Sequence, residues 1–325
     1  MNLPRRRFLH LTAGAAMLPT LPRLAWAQTY PSRPVRIVVG FAAATGADIL
    51  ARLMGQWLSE RLGQNVIVEN RPGAGTNIAT EAVVRAAPDG YTLLAVSPAN
   101  AINATLYDKL NFNFIRDIAP VASILRTPNV MLVNPSVPAK SVPELIAYAK
   151  ANPGKISFAS AGSGSGSHMS GELFKMMTGV DMVHVPYRGG GPALTDLVGG
   201  QVQLMFPGTT ASIAYIRAGT LRPLAVTTAR RSEVLPDIPT VGDFVPGYES
   251  SLMDGLGVPR NTPIEIIERL NKEINAGLAD PKLKARFADL GGAALPGSPV
   301  DFGKLIAEET EKWAKVVKFA GIKPE

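Results

Sequence analysis

The strongest constraint on this chain is a repeated alternation of short, β-branched apolar runs with amphipathic helical runs, present twice along the sequence. Residues 35–41 form the first strand-like run. Leu50, Leu53, Met54, Trp57 and Leu58 then fall on one helical face at the i, i+3, i+4, i+7, i+8 spacing, up to Gly63. Val66-Ile67-Val68, a helix to about residue 87 and a third strand at 91–97 complete a βαβαβ series. Such a series predicts a parallel sheet with helices on both faces. The second series opens at Ser141-Val142-Pro143-Glu144, a capping box with proline near the first helical position. Strands follow at 156–159, 182–185, 204–206 and 221–226, separated by helices at 167–178, after Pro192 and up to about Gly219.

The C-terminal stretch is different in kind. Thr262-Pro263-Ile264-Glu265 opens a helix with Ile267, Leu270, Ile274 and Leu278 on one face, and helices near 281–290 and 299–319 follow. Having no sheet of their own, these helices are expected to cover the first one. The first lobe is then discontinuous, 28–124 with 251–325, and the second is 125–250. Two apolar extended segments, 121–133 and roughly 249–258, cross between them. The predicted class is α/β, with two parallel or mixed sheets joined by a hinge and a ligand held between lobes. A length of 325 residues suits two such units.

Residues 1–27 stand outside this pattern. Arg5-Arg6-Arg7-Phe8-Leu9 precedes a short apolar stretch and Ala25-Trp26-Ala27, the layout of an export signal with a twin-arginine-like start, cleaved after Ala27. Pro19, Pro22 and Arg23 break the stretch, which is too short for a membrane anchor. The segment holds four arginines and no acid, so its removal lowers the net charge from +7 to +3. No polybasic stripe remains, and nucleic acid is not expected as a partner. Periplasmic location is expected.

Ligands of open parallel sheets sit beyond the carboxyl ends of the strands. Four loops occupy that place. The first contributes Phe41, Thr45, Gly46, Ala47 and Asp48, and the second Ser97 and Asn100. The third is a Gly/Ser run containing Ala161, Gly162, Ser163, Ser165, Gly166, Ser167 and His168, and the fourth includes Thr209. Small residues, hydroxyls and free N–H groups at helix starts suit a carboxylate. Thr45 and Ser165 are expected to donate hydrogen bonds from opposite lobes. These loops carry no arginine, so no guanidinium clamp is expected.

Other chemistries find little support. The Gly/Ser run lacks the Gly-Lys-Ser/Thr ending of a phosphate loop, and Ser167 stands where G-x-G-x-x-G needs glycine. No G-x-S-x-G elbow is present. Without cysteine, thiolate metal sites and cysteine nucleophiles are excluded. Beyond His10 of the leader only His168 and His184 remain, with no metal-binding spacing, and His184 in its apolar strand reads as structural. No cofactor or metal is expected.

Matches spread along the mature chain resemble the Bug (Bordetella uptake) family, substrate-binding proteins of tripartite tricarboxylate transporters. They include Asp48-Ile49-Leu50-Ala51-Arg52, Val68-Glu69-Asn70-Arg71-Pro72-Gly73-Ala74-Gly75, Ala87-Pro88-Asp89-Gly90-Tyr91, His184-Val185-Pro186-Tyr187-Arg188-Gly189 and Gly199-Gly200-Gln201-Val202-Gln203. The resemblance implies a type II, Venus-flytrap periplasmic binding protein that closes on a small organic carboxylate. It implies no catalysis, and transient contact with membrane transporter subunits; a monomer is expected. Two departures stand out: the first loop reads Ala42-Ala43-Ala44-Thr45-Gly46 where the family has proline and a glycine pair. The strand that often ends Met-Phe-Asp reads Met205-Phe206-Pro207. Both departures lean away from amino-acid ligands, the second because it removes an acid that could pair with a ligand amine. The alternatives are a chemosensory binder and a periplasmic serine hydrolase, the latter opposed by the lack of an assembled base. Edman sequencing of the exported protein is expected to begin at Gln28; retention of Met1 would refute the signal reading.

Overall fold

The structure is a computed structural model and describes residues 30–323 except 44 and 108, so the export leader expected at 1–27 lies outside the described residues. The chain runs β1 (Val35–Val39), α1 (Gly46–Leu62), β2 (Val66–Asn70), α2 (Asn77–Val84), β3 (Thr92–Val96), α3 (Pro98–Leu106) and α4 (Phe114–Asp117). β4 (Ile118–Pro128) leads away to β5 (Val130–Val133), α5 (Val142–Ala151), β6 (Ser157–Ser160), α6 (Gly166–Thr178) and β7 (Val183–Pro186). α7 (Gly190–Val198), β8 (Leu204–Met205), α8 (Thr209–Arg217) and β9 (Arg222–Val226) complete that stretch. The chain returns through β10 (Ser251–Pro259), then α9 (Ile264–Ala279), α10 (Pro281–Asp289), β11 (Ala293–Ala294) and α11 (Pro299–Ala320).

Two mixed sheets result. The first has the order β11-β4-β10-β3-β1-β2, and the second β7-β6-β8-β5-β9. β1 lies parallel to β2 and β3, whereas β10 runs antiparallel to both β3 and β4. In the second sheet β6 is parallel to β7 and β8, and β5 antiparallel to β8 and β9. Val35, Ile37, Val38 and Val39 are all buried, as a strand covered on both faces requires. α1 buries Leu50, Met54 and Leu58 and stops at Gly63, whose positive φ lets its N–H return to the Ser59 carbonyl.

The crossing lies further along than the boundary at 124 expected from sequence. β4 continues to Pro128 because it keeps its antiparallel partner throughout, from Ile118 opposite Pro259 to Pro128 opposite Ser251. The changeover falls at Asn129 on one strand and Ser250 on the other. Thr227, at the end of β9, joins them: its N–H donates to the Asn129 carbonyl, and its carbonyl accepts the Ser250 N–H, each at 2.9 Å.

The C-terminal helices divide their burial. Ile267, Leu270 and Ile274 of α9 share a core with Ile37, Leu58 and Leu256 of the first unit. Phe302 and Ile306 of α11 pack with Val38 and Leu94. Trp313, Val316 and Val317 instead join the core of the second unit with Phe174 and Tyr248. A helix of 22 residues reaches about 33 Å, so one helix can serve both cores.

Gly255 makes the central strand packing possible. A Cβ there would strike the Phe302 ring and the Ala122 carbonyl oxygen. Gly255→Ala is expected to cost about 1–3 kcal/mol through overpacking. Urea unfolding should show a lower midpoint at unchanged slope, and an unshifted midpoint would mean that β10 and α11 are not this close.

Candidate ligand cleft

Strands β1, β3, β6 and β8 each end at a loop that turns into a helix, and the four loops open on one cavity of about 550 Å³ between the two sheets. The first unit supplies Phe41, Thr45, Gly46 and Ala47, and Ser97 with Pro98 and Ala99 at the start of α3. The second supplies Gly164, Ser165 and Gly166 at α6, and Gly208, Thr210 and Ala211 at α8. Crossing strands form the floor, with Leu125 and Thr127 from β4 and Leu252 and Asp254 from β10. Ile49, Leu50, Ile102 and Leu290 make the remaining walls largely apolar.

Of the residues singled out by sequence, Phe41, Thr45, Gly46, Ala47, Ser97, Ser165 and Gly166 come together here. Asp48, Asn100, Ala161, Gly162, Ser163, Ser167, His168 and Thr209 do not line the cavity. Most of them brace it. Asp48 is buried, chelates Arg52 through Nε and Nη2 at 2.9 Å each, and accepts Asn70 Nδ2 at 2.8 Å. Its oxygens face Arg52 and the β2 side. Asn100 Oδ1 accepts the Ser97 N–H at 2.8 Å, and its Nδ2 donates to the Thr80 hydroxyl at 2.9 Å.

The Gly/Ser run is similarly self-engaged. The Ala161 N–H donates to Ser167 Oγ, and the Gly164 N–H to His168 Nδ1, each at 3.0 Å. The His168 ring stacks on His184 with centroids 3.6 Å apart, and His184 Nε2 meets the Ser160 hydroxyl at 2.6 Å. The Gly162 carbonyl accepts the Ser165 hydroxyl at 2.6 Å. Thr209 is wholly buried and donates to the Pro128 carbonyl at 2.9 Å, tying α8 to the crossing strand.

These bonds change which groups face a ligand. The Thr45 hydroxyl proton goes to the Ala42 carbonyl at 2.9 Å, and that of Ser165 to Gly162. Neither hydroxyl is therefore free to donate as the sequence suggested; both were spent on their own turns. What remains is main chain. No side chain caps α1 at Thr45 or α8 at Gly208, and Gly46 and Ala47 of the one helix start and Thr210 of the other line the cavity from opposite units, while the Ala211 N–H is already given to the Gly208 carbonyl at 3.1 Å.

Sequence reasoning missed the floor. Asp254 is the sole titratable side chain among the described residues lining the cavity, and it has no hydrogen-bond or ion-pair partner among them. Burial pushes its carboxyl up to about 7, since nothing compensates the loss of water around the anion. The signal was present: Asp254 is the one charged residue between Glu249 and Arg260 in an otherwise apolar extended run.

A family model described as "tripartite tricarboxylate transporter family receptor" matches residues 50–322. BugT of Bordetella pertussis is 36% identical over 300 residues, covering 91% of this chain and 92% of that protein. The structure of Rpa4515 of R. palustris with adipate superposes with a TM-score of 0.79 at 39% identity, covering 91% of this chain and all of that one. MatC of Rhodopseudomonas palustris with bound malate does so with a TM-score of 0.75 at 33% identity, covering 89% and 100%.

Proposed function

This chain belongs to the tripartite tricarboxylate transporter receptor family, and from that premise we propose that it captures a small organic carboxylate outside the cytoplasm and presents it to membrane transporter subunits. The observation that carries the reading is the pair of uncapped helix starts, α1 and α8, opening from opposite units on one cavity. Each start carries roughly half a positive charge together with unpaired N–H donors, so a carboxylate between them is bound without any arginine or lysine. Adipate and malate in the two neighbouring structures are ligands of that chemistry.

Export through the 1–27 leader and a periplasmic, monomeric working form belong to the same proposal. Among the described residues no helix is long and apolar enough to cross a membrane. The site residues proposed for contact are Thr45, Gly46 and Ala47 through their main chain in the first lobe, and Gly208 and Thr210 in the second. The lobes are proposed to swing about Asn129 and Ser250, where only two strands pass between the sheets.

Two measurements test this. A carboxylate that binds should lose most of its affinity as its methyl ester, because the ester lacks the charge that the helix starts favour. Gly46→Pro removes one donor at the first helical position of α1, a position proline tolerates. The preceding Thr45 is already extended, as proline demands, and the Gly46 side faces open space. Binding should weaken about 10-fold to 150-fold, the loss of a hydrogen bond to a charged group, with little change in stability. Equal binding of acid and ester, or unchanged affinity in the proline variant, would refute main-chain anion capture.

The hinge is read by small-angle scattering. A saturating carboxylate is expected to reduce the radius of gyration, because the ligand binds the closed arrangement more tightly than the open one. An unchanged radius alongside calorimetrically confirmed binding would mean a preformed cleft.

A further inference from the structure

Asp254 poses an electrostatic problem that the main-chain donors leave unsolved. It stands on the cleft floor opposite Leu125, while Leu252 stands opposite Thr127, and all four side chains line the cavity. Met253 and Arg126 form the intervening pair and point to the other face, because side chains alternate along a strand. Arg126, the cation nearest along β4, therefore faces away from the cleft, toward Glu249 at 3.4 Å. Around Asp254 the packed elements offer Ala47, Leu50 and Ala51 from α1, Ala95 and Val96 from β3, and Ile124 from β4, none of them titratable. The neighbouring acid of α1, Asp48, is engaged by Arg52 and Asn70.

A bound carboxylate would thus share a closed, cation-free cleft with a second carboxylate. Two like charges in a dry site destabilise one another, and closure strengthens the repulsion. A ligand that brings its own cation removes the conflict: its carboxylate takes the helix starts and its cation takes the floor.

We propose that Asp254 is the specificity residue of the cleft, selecting carboxylates that also carry a protonated amine, which pairs with its side chain. This rests on the carboxylate reading above and narrows it to amine-bearing acids. It also reverses the sequence-based lean away from amino acids at Pro207, since the acid missing at the end of β8 is supplied by β10 instead. The raised pKa of the Asp254 carboxyl agrees with the assignment, because an ammonium would give the stranded anion its first partner. The pH sign follows. Below about 7 Asp254 is protonated and cannot pair with a cation, so binding of an amine-bearing acid tightens as pH rises through 7, with release of a proton on binding.

Calorimetry with three five-carbon probes, glutarate, L-glutamate and 5-aminopentanoate, tests this at pH 6 and pH 8, with adipate and malate as controls. At pH 8 at least one ammonium-bearing probe is expected to bind 10-fold or more tighter than glutarate. Asp254→Asn, which preserves size, should weaken that probe about 10-fold to 150-fold and leave glutarate equal or improved. Glutarate binding as tightly as both amines overturns the assignment, as does an amine preference that persists in the Asn variant. Tighter glutarate binding at pH 6 than at pH 8, abolished in Asp254→Asn, also overturns it, because Asp254 would then serve as a neutral acid. Binding of adipate or malate alone rejects the amine while the carboxylate reading stands; binding of none of the five rejects both. Should the Asn variant fold poorly, the probe order and pH trend of the parent protein decide the matter.

Discussion

The antiparallel pairing of β4 with β10 is the constraint on which the rest of this molecule depends. These two strands lie side by side in the first sheet and run out of it together, so the chain enters and leaves the second sheet through a two-strand ladder, beside which the end of α11 packs into the second core. Their shared register sets Leu125 opposite Asp254 and Thr127 opposite Leu252, which makes the cleft floor. It equally turns Arg126 and Met253 away, and so keeps the floor free of cations. A slip of one residue would exchange the two faces and put an arginine in the cleft. Gly255 permits this ladder to lie against Phe302, where any side chain would collide.

In the proposed carboxylate reading, recognition falls to the main chain. A helix start offers N–H groups whether or not its residues are polar, so small residues at 45–47 and 208–211 bring the backbone close to a ligand without demanding particular side chains. Such a site reads the position of a carboxylate rather than the identity of the remaining ligand. Discrimination has to come from what lies beyond the carboxylate: the apolar walls of Leu50, Ile102 and Leu290, and the acid at the floor. In a low-dielectric cleft a single unpaired charge outweighs several hydrophobic contacts in setting which ligand is admitted.

The polar residues around the cleft are largely scaffolding. Asp48 links α1 to β2, Asn100 links α3 to α2, Thr209 links α8 to β4, and His168 and His184 brace the Gly/Ser turn by stacking. Each satisfies buried partners that would otherwise cost about 1–3 kcal/mol. Rigid loop ends follow, and preorganised donors spend less entropy on binding.

Much of this architecture was legible in the sequence. The period of apolar residues separated strands from helices, the Gly63 stop and the Ser141 capping box marked helix ends, and two crossing segments announced two units. The four loops that open on the cavity were also legible, because a strand followed by small residues and a helix start has one place in an open sheet. Which side chains those loops turn inward was not. Hydrogen bonds between residues distant in sequence withdrew Asp48, Asn100 and Thr209 from the cleft, and local turns consumed the hydroxyls of Thr45 and Ser165. Asp254 entered through strand register, a relation between two segments some 125 residues apart that no local pattern encodes. The sequence by itself determined the elements and the family, since these follow from local periodicity and ordered motifs. Only the tertiary structure decided the chemistry of the floor, because the partner and orientation of a charged side chain depend on which strands lie beside it.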